Sequence, residues 1–203
     1  VAFAYAEIEI HLKKSAMTRE PTQGGAMNDS VTLTPPVSAR DHIAGHDDAP
    51  VTLVEYGDYQ CPYCGAVHPV IQRLQKALGK KLRFVFRNFP LSQAHPYALM
   101  AAETAEAAAL QGKFWEMHDF VFENQESLAP EALPAWANEL GLDMKKFATA
   151  IKERSVVKRI EEDREGGIES GVNGTPTFFI NGTIYEGEDD YESLRAALSH
   201  AKD

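Results

Sequence analysis

The sequence predicts an α/β fold, a small mixed β-sheet flanked by helices with an all-helical block inserted in its middle. Three observations carry that prediction. Strand-like runs rich in β-branched and aromatic residues fall in two separated places, at 51–57 with 82–88 and at 177–180 with 183–186. The segment between them reads as successive helices. The only two cysteines, Cys61 and Cys64, stand where the first strong strand meets the first helix.

Taken in order, Ile8, Ile10 and Leu12 alternate with polar residues as a half-buried strand does, or belong to an upstream extension of no functional weight. From about Met17 to Pro50 the chain is rich in Thr, Gly, Asp, Ser and Pro, which reads as a linker or extended arm; Met17 or Met27 would serve as a natural start. Val51-Thr-Leu-Val-Glu-Tyr56 is a buried strand. A helix over 62–78 follows, with Val67, Ile71, Leu74 and Leu78 at helical spacing and Gly79 as its stop. Leu82–Asn88 is a second strand, parallel to the first.

Helices are then predicted at 97–110, 114–122, 130–140, 143–151 and 155–170, the last two opened by Asp143 and Ser155 as N-caps. Phe114, Trp115, Phe120 and Phe122 read as the core of this block, with a partner surface as the alternative. Thr177–Ile180, the turn Asn181-Gly182 and Thr183–Glu186 form a hairpin, and an amphipathic helix over 190–201 carries Tyr191, Leu194 and Leu198 on one face. The resulting division is an N-terminal extension at 1–40, a sheet domain at 41–92 and 172–203, and an inserted helical domain at 93–171.

Composition narrows the function. The 20 basic and 30 acidic residues give a net charge of -10, which opposes nucleic-acid backbones and anionic membrane surfaces. No stretch approaches the roughly 20 apolar residues that span a bilayer. Residues 1–10 are apolar but contain Glu7 and Glu9, and Lys13 and Lys14 follow them, an order opposite to that of a secretory signal. A cytoplasmic location is therefore expected, or an extracytoplasmic one if the N-terminus has been trimmed.

The chemistry centres on Cys61-Pro62-Tyr63-Cys64. A cysteine at a helix N-cap faces free backbone N–H groups and the positive end of the helix dipole, which favour its thiolate. Cys61 is thus the expected nucleophile and Cys64, one turn later and more buried, the resolving thiol. Pro62 suits the first helical turn because it has no N–H. Glu55 interrupts an apolar strand six residues before Cys61. Turned under the helix it is a carboxyl of raised pKa that can exchange a proton with Cys64; turned to solvent it is an ordinary surface charge. Gly174-Thr175-Pro176-Thr177 precedes the returning strand, where Pro176 is either a terminator or, joined to Thr175 by a cis bond, a backbone surface for substrate beside the sulfurs.

This set of motifs resembles the DsbA-type thiol-disulfide oxidoreductases of the thioredoxin superfamily, over about residues 40–201. Gln111-Gly-Lys-Phe-Trp-Glu-Met-His118 resembles a stretch common in that group. The resemblance implies an enzyme with a thioredoxin fold, catalytic Cys61, Cys64, Glu55 and cis Pro176, and protein thiols or disulfides as substrates, with a separate redox partner. Thr175, Pro62, Tyr63 and His68 are expected to line the substrate site. Well-known oxidases of the family carry His where Tyr63 stands, so Cys61 is expected to be less acidic and the disulfide less oxidising. Cys-Pro-Tyr-Cys also resembles the glutaredoxin motif, which leaves a glutathione-linked reductase or isomerase, with glutathione as co-substrate, as the alternative. The direction of flux stays open.

Two rivals are weaker. Cys61, Cys64 and His68 share a helix face, but a closed zinc site needs four ligands and no further cysteine exists, so no metal is expected. His68 is read at the site rim or in solvent, and His46, His95 and His118 as surface or capping residues. A non-catalytic protein-binding module requires Cys61 to be unreactive, and no Gly-x-Ser-x-Gly elbow supports serine catalysis.

Overall fold

A computed structural model describes residues 31–201. The alternating stretch at 7–13 lies outside the described residues. Five strands form one mixed sheet: β1 (His42–Gly45), β2 (Val51–Gly57), β3 (Leu82–Asn88), β4 (Thr177–Ile180) and β5 (Thr183–Tyr185), in the spatial order β1-β3-β2-β4-β5. The pair β2–β3 is parallel and every other pair antiparallel. Central β2 is buried at all seven positions, as expected of an apolar strand covered on both faces.

The helices are α1 (Pro62–Leu78), α2 (Ala98–Ala109), α3 (Phe114–Glu123), α4 (Ala132–Glu139), α5 (Met144–Glu153), α6 (Val157–Glu169) and α7 (Tyr191–His200). Each expected helix is found, with no end moved by more than two residues. Asp143 caps α5 by accepting from the Lys145 and Lys146 amides, and Asp190 caps α7 in the same way from Glu192 and Ser193. Ser155 does not cap α6. That helix starts after Val156, and the Ser155 hydroxyl turns back to the Ala150 carbonyl at the end of α5. In the hairpin, Asn181 and Gly182 both take positive φ, 49° and 85°, the conformation for which Asn-Gly is selected.

Two apolar clusters sandwich the sheet. Val51, Leu53, Phe84, Phe86 and Phe178 pack with α1, α7 and the helical insertion. Val54, Tyr56, Val85, Phe89, Val172 and Phe179 pack on the opposite side with Leu33. The aromatic residues of α3 belong to the first cluster: Phe114 and Phe122 are buried and Trp115 and Phe120 are partly so, which favours core over partner surface.

Residues 31–50, read from composition as a linker or arm, are packed. Thr32 bridges to Thr183, Leu33 is buried, and β1 adds to the outer edge of β3 with His42 opposite Phe86. The polar composition misled because side chains elsewhere satisfy this segment: Arg87 donates to the Pro35 and Pro36 carbonyls and to both oxygens of Asp41. Gly166 and Gly167 permit the close approach of α6, since a side-chain carbon at either would stand about 2.7–2.8 Å from Pro35 or Phe89.

Candidate active site

The site is built where β2 ends. The chain leaves the sheet at Gly57, turns through Asp58, Tyr59 and Gln60, and enters α1 with Cys61 as N-cap and Pro62 as the first helical residue. No side chain caps the helix, so its leading N–H groups face the Cys61 sulfur. Cys61 and Cys64 are both reduced and both buried, while Pro62 and Tyr63 are exposed, Tyr63 at 74%.

The two thiols are pushed in opposite directions. Cys61 is lowered from 9.0 to about 5, chiefly by a hydrogen bond from Cys64, with further help from Thr175 and the backbone N–H groups of Cys64 and Tyr63, against the opposing effect of burial. Cys64 is raised well above 9.0, by burial first, then by its bond to Cys61 and the negative charge of Glu55. Near neutral pH the pair is thus one thiolate and one thiol. The thiolate sits at the N-terminus of the helix, beside the exposed Pro62 and Tyr63. Tyr63 contributes its backbone N–H to this balance, and its ring projects into solvent.

Glu55 is buried at 3% exposure on the face of β2 that α1 covers, between Phe86 of β3 and Phe178 of β4 in register. Its Oε1 meets no hydrogen-bond partner. Burial raises it to about 8, with smaller contributions from Asp189 and Cys61. It is therefore a protonated carboxylic acid at neutral pH, held in the interior beside two thiols.

Across from the cysteines the Thr175–Pro176 peptide bond is cis. The Cys61 thiol donates to the Thr175 carbonyl at 3.2 Å. The Thr175 hydroxyl oxygen is buried without a hydrogen-bond partner in this arrangement, and is available to the thiolate.

Three residues at the site carried no signal in the sequence. Gln125, from the turn after α3, donates through its Nε2 to the carbonyls of Tyr59 and Cys61, both at 2.9 Å, and so ties the insertion to the active-site turn. Asp58 is buried and accepts from the amides of Gln60 and Leu91, and it meets His95 Nδ1 at 2.8 Å. Asp189, ahead of α7, adds negative charge near Glu55. Gln125 and Asp189 come from segments far away in sequence, and Asp58, only three residues before Cys61, meets partners at Leu91 and His95; spacing along one chain does not encode such meetings.

The histidine readings change. His68 is not at the rim. It is 6% exposed, one turn beyond Cys64, and packed against Phe122 and His118. His118 is not a surface residue either: it is 2% exposed among Tyr59, Phe86, Phe114 and Phe122, with the Tyr59 hydroxyl at its Nδ1. An amphipathic helix places i and i+4 on one face, so the face that buries Cys64 buries His68 as well.

Comparisons with known proteins agree with this geometry. A family model described as thioredoxin matches residues 38–200. The structure of BdbD from Bacillus subtilis, in its oxidised form, superposes with a TM-score of 0.74 at 24% identity, covering 86% of this chain and 99% of that one. A thioredoxin-like oxidoreductase from Silicibacter pomeroyi gives a TM-score of 0.70 at 26% identity, covering 81% and 94%. In sequence, the chain is 44% identical over 178 residues to a protein of Salinispora arenicola named Na(+)/H(+) antiporter NhaA 1, a match over 87% of this chain and 27% of that protein. The chain thus spans about a quarter of the length of the curated relatives it matches. Among the described residues no helix is long and apolar enough to cross a membrane, and the antiport named for those relatives is not carried over. The expectation of a cytoplasmic location rests on residues outside the described ones and gains no support from these proteins. With its family match, its sheet order and its helical insertion, the chain belongs to the thioredoxin family and has the fold of the DsbA-type members.

Proposed function

We propose that the protein is a thiol-disulfide oxidoreductase acting on protein thiols through a mixed disulfide at Cys61. The observation that carries this reading is the opposed acidity of the two sulfurs, with Cys61 at about 5 and Cys64 well above 9.0, next to a buried acid at about 8. In the oxidising direction a substrate thiolate attacks Cys61 Sγ of the Cys61–Cys64 disulfide. The S–S bond breaks, its electron pair goes to Cys64, and the Glu55 carboxyl supplies the proton that Cys64 takes up. A second substrate thiolate then attacks the substrate sulfur of the mixed disulfide and expels Cys61 as its stable thiolate. In the reducing direction the same steps reverse, with Glu55 receiving the Cys64 proton.

A depressed Cys61 pKa stabilises the reduced protein and so makes the disulfide the better oxidant. Exposed Tyr63 and Pro62 and the Thr175 backbone flank the sulfur that a substrate must reach. Cys64→Ser tests the scheme, because it leaves the nucleophile and removes the resolving thiol. It should accumulate mixed disulfides with substrate proteins that non-reducing gels separate and reductant dissolves. Cys61→Ser should accumulate none, and equal trapping by both variants would end this reading.

A further inference from the structure

On the insertion side of α1 a second group of side chains comes together that the redox scheme does not use. His68 projects from α1, and His118 and Asp119 from α3. One ring nitrogen of each histidine and one Asp119 carboxylate oxygen lie within 4.8 Å of one another. His68 Nε2 is buried and makes no hydrogen bond, although Asp119 Oδ1 is only 3.5 Å away. A buried imidazole nitrogen left without a partner costs free energy unless something fills the position. A hydrogen bond at this site would sit nearer 2.9 Å, whereas about 3.4 Å is the edge of a tetrahedron of donors around an ion with bonds of about 2.1 Å.

We propose that His68, His118 and Asp119 bind one divalent transition-metal ion of the zinc class. Two imidazoles and one carboxylate are a donor set suited to such ions, and three protein ligands leave a further position for water or an exogenous donor. The surroundings complete the features of a metal site. Tyr59 holds the His118 ring by its Nδ1, as outer-shell partners of metal-ligating histidines do. The Asp119 side chain is 46% exposed, which gives the ion a path from solvent, while both histidines are buried. Glu116 and Glu123 lie close enough to act electrostatically on Asp119, and Glu123 also acts on His68, so the approach carries negative charge. A bound ion would join α1, which carries both cysteines, to α3 of the insertion.

The test must exclude the thiols, which bind zinc themselves. In the full chain carrying Cys61→Ala and Cys64→Ala, titration calorimetry with Zn2+ should show one ion per chain, and Co2+ should develop visible ligand-field absorption of a low-symmetry site. Asp119→Asn in that background, at a half-exposed position where folding is preserved, should weaken Zn2+ more than about tenfold, since loss of even an outer-shell partner costs 10–100-fold. His68→Gln should do the same, with circular dichroism confirming the fold. Absence of a one-ion isotherm, or binding that Asp119→Asn leaves unchanged, overturns the proposal.

Discussion

Residues 55 and 56 of β2 enter opposite faces of the sheet, and each face buries polar groups at that level. Beside Tyr56, five hydrogen bonds take up the five N–H groups of Arg87: two to Asp41, two to the Pro35 and Pro36 carbonyls and one to the Tyr56 hydroxyl. Burial alone would push Asp41 up, yet the Arg87 bond and charge hold it below 3.8. Beside Glu55 no described residue supplies a compensating cation: its Oε1 is unpartnered, it stands at about 8, and its charge bears on Cys64. Paired polarity on one face fixes the N-terminal segment in place. Unpaired polarity on the other leaves protons free to move, which is what a thiol pair in exchange requires.

The largest expected effect comes from unpairing the first face. Arg87→Met would leave the Asp41 carboxylate buried without its cation and two proline carbonyls without donors, a change that typically costs about 3–5 kcal/mol. The midpoint of urea unfolding should fall accordingly. The double variant Arg87→Met with Asp41→Leu should recover most of the loss, because removing both charges removes the desolvation penalty. If the faces are as separate as the sheet makes them, alkylation of Cys61 keeps its midpoint near 5 in these variants. A shifted midpoint would mean that the two networks communicate through β2.

The next effect separates the faces by pH. Glu55 has a folded pKa of about 8 against 4.5 in the unfolded chain. Between those values the unfolded chain is ionised while the folded one keeps its proton. This group's contribution is fully present below 4.5 and is lost as pH rises towards 8, by up to about 1.4 kcal/mol per pH unit. Cys61 runs the other way in the reduced protein, since it drops from 9.0 to about 5 and adds stability as pH rises through that window. Comparing reduced wild type with reduced Glu55→Gln at several pH values cancels the cysteine contribution. The variant should gain on wild type as pH rises from about 5 to 8, while its exchange turnover slows. Parallel stability curves would show that Glu55 carries no raised pKa.

Much of this contrast was legible in the sequence, but only where the signal is local. A carboxylate within Val51–Tyr56 raises the reading of a buried acid because both neighbours suit a strand buried on both faces, though alternation alone left a surface charge open, and Cys61-Pro62 announces a helix start because proline fits the first turn. The helices followed from periodicity and from stops such as Gly79. β1 was not legible: His42-Ile-Ala-Gly45 is too short and too mixed to alternate clearly, and its strand state comes from pairing with β3. Arg87 reads as an ordinary alternating charge in a strand, because its partners Pro35, Pro36 and Asp41 are about 50 residues away. The same holds for Gln125 and for His118, whose burial depends on how α3 lies against α1 and β3.

The finest test asks what holds the Cys61 thiolate when no histidine stands at position 63. The lowering of Cys61 comes first from Cys64 and next from Thr175, with backbone N–H groups of Cys64 and Tyr63 after them. Cys64→Ala removes the leading donor, and hydrogen bonds to charged groups are worth about 1.5–3 kcal/mol, so the alkylation midpoint of Cys61 should rise by about one to two pH units. Thr175→Val removes the hydroxyl and keeps the backbone, and its midpoint should rise by less, under about one unit. Tyr63→Phe should leave it in place, since the Tyr63 ring is in solvent and only its backbone N–H faces the sulfur. If Tyr63→Phe instead moves the midpoint as far as Cys64→Ala does, the phenol hydroxyl takes part in holding the thiolate, and the exposed end of the site shares the work assigned here to its buried end.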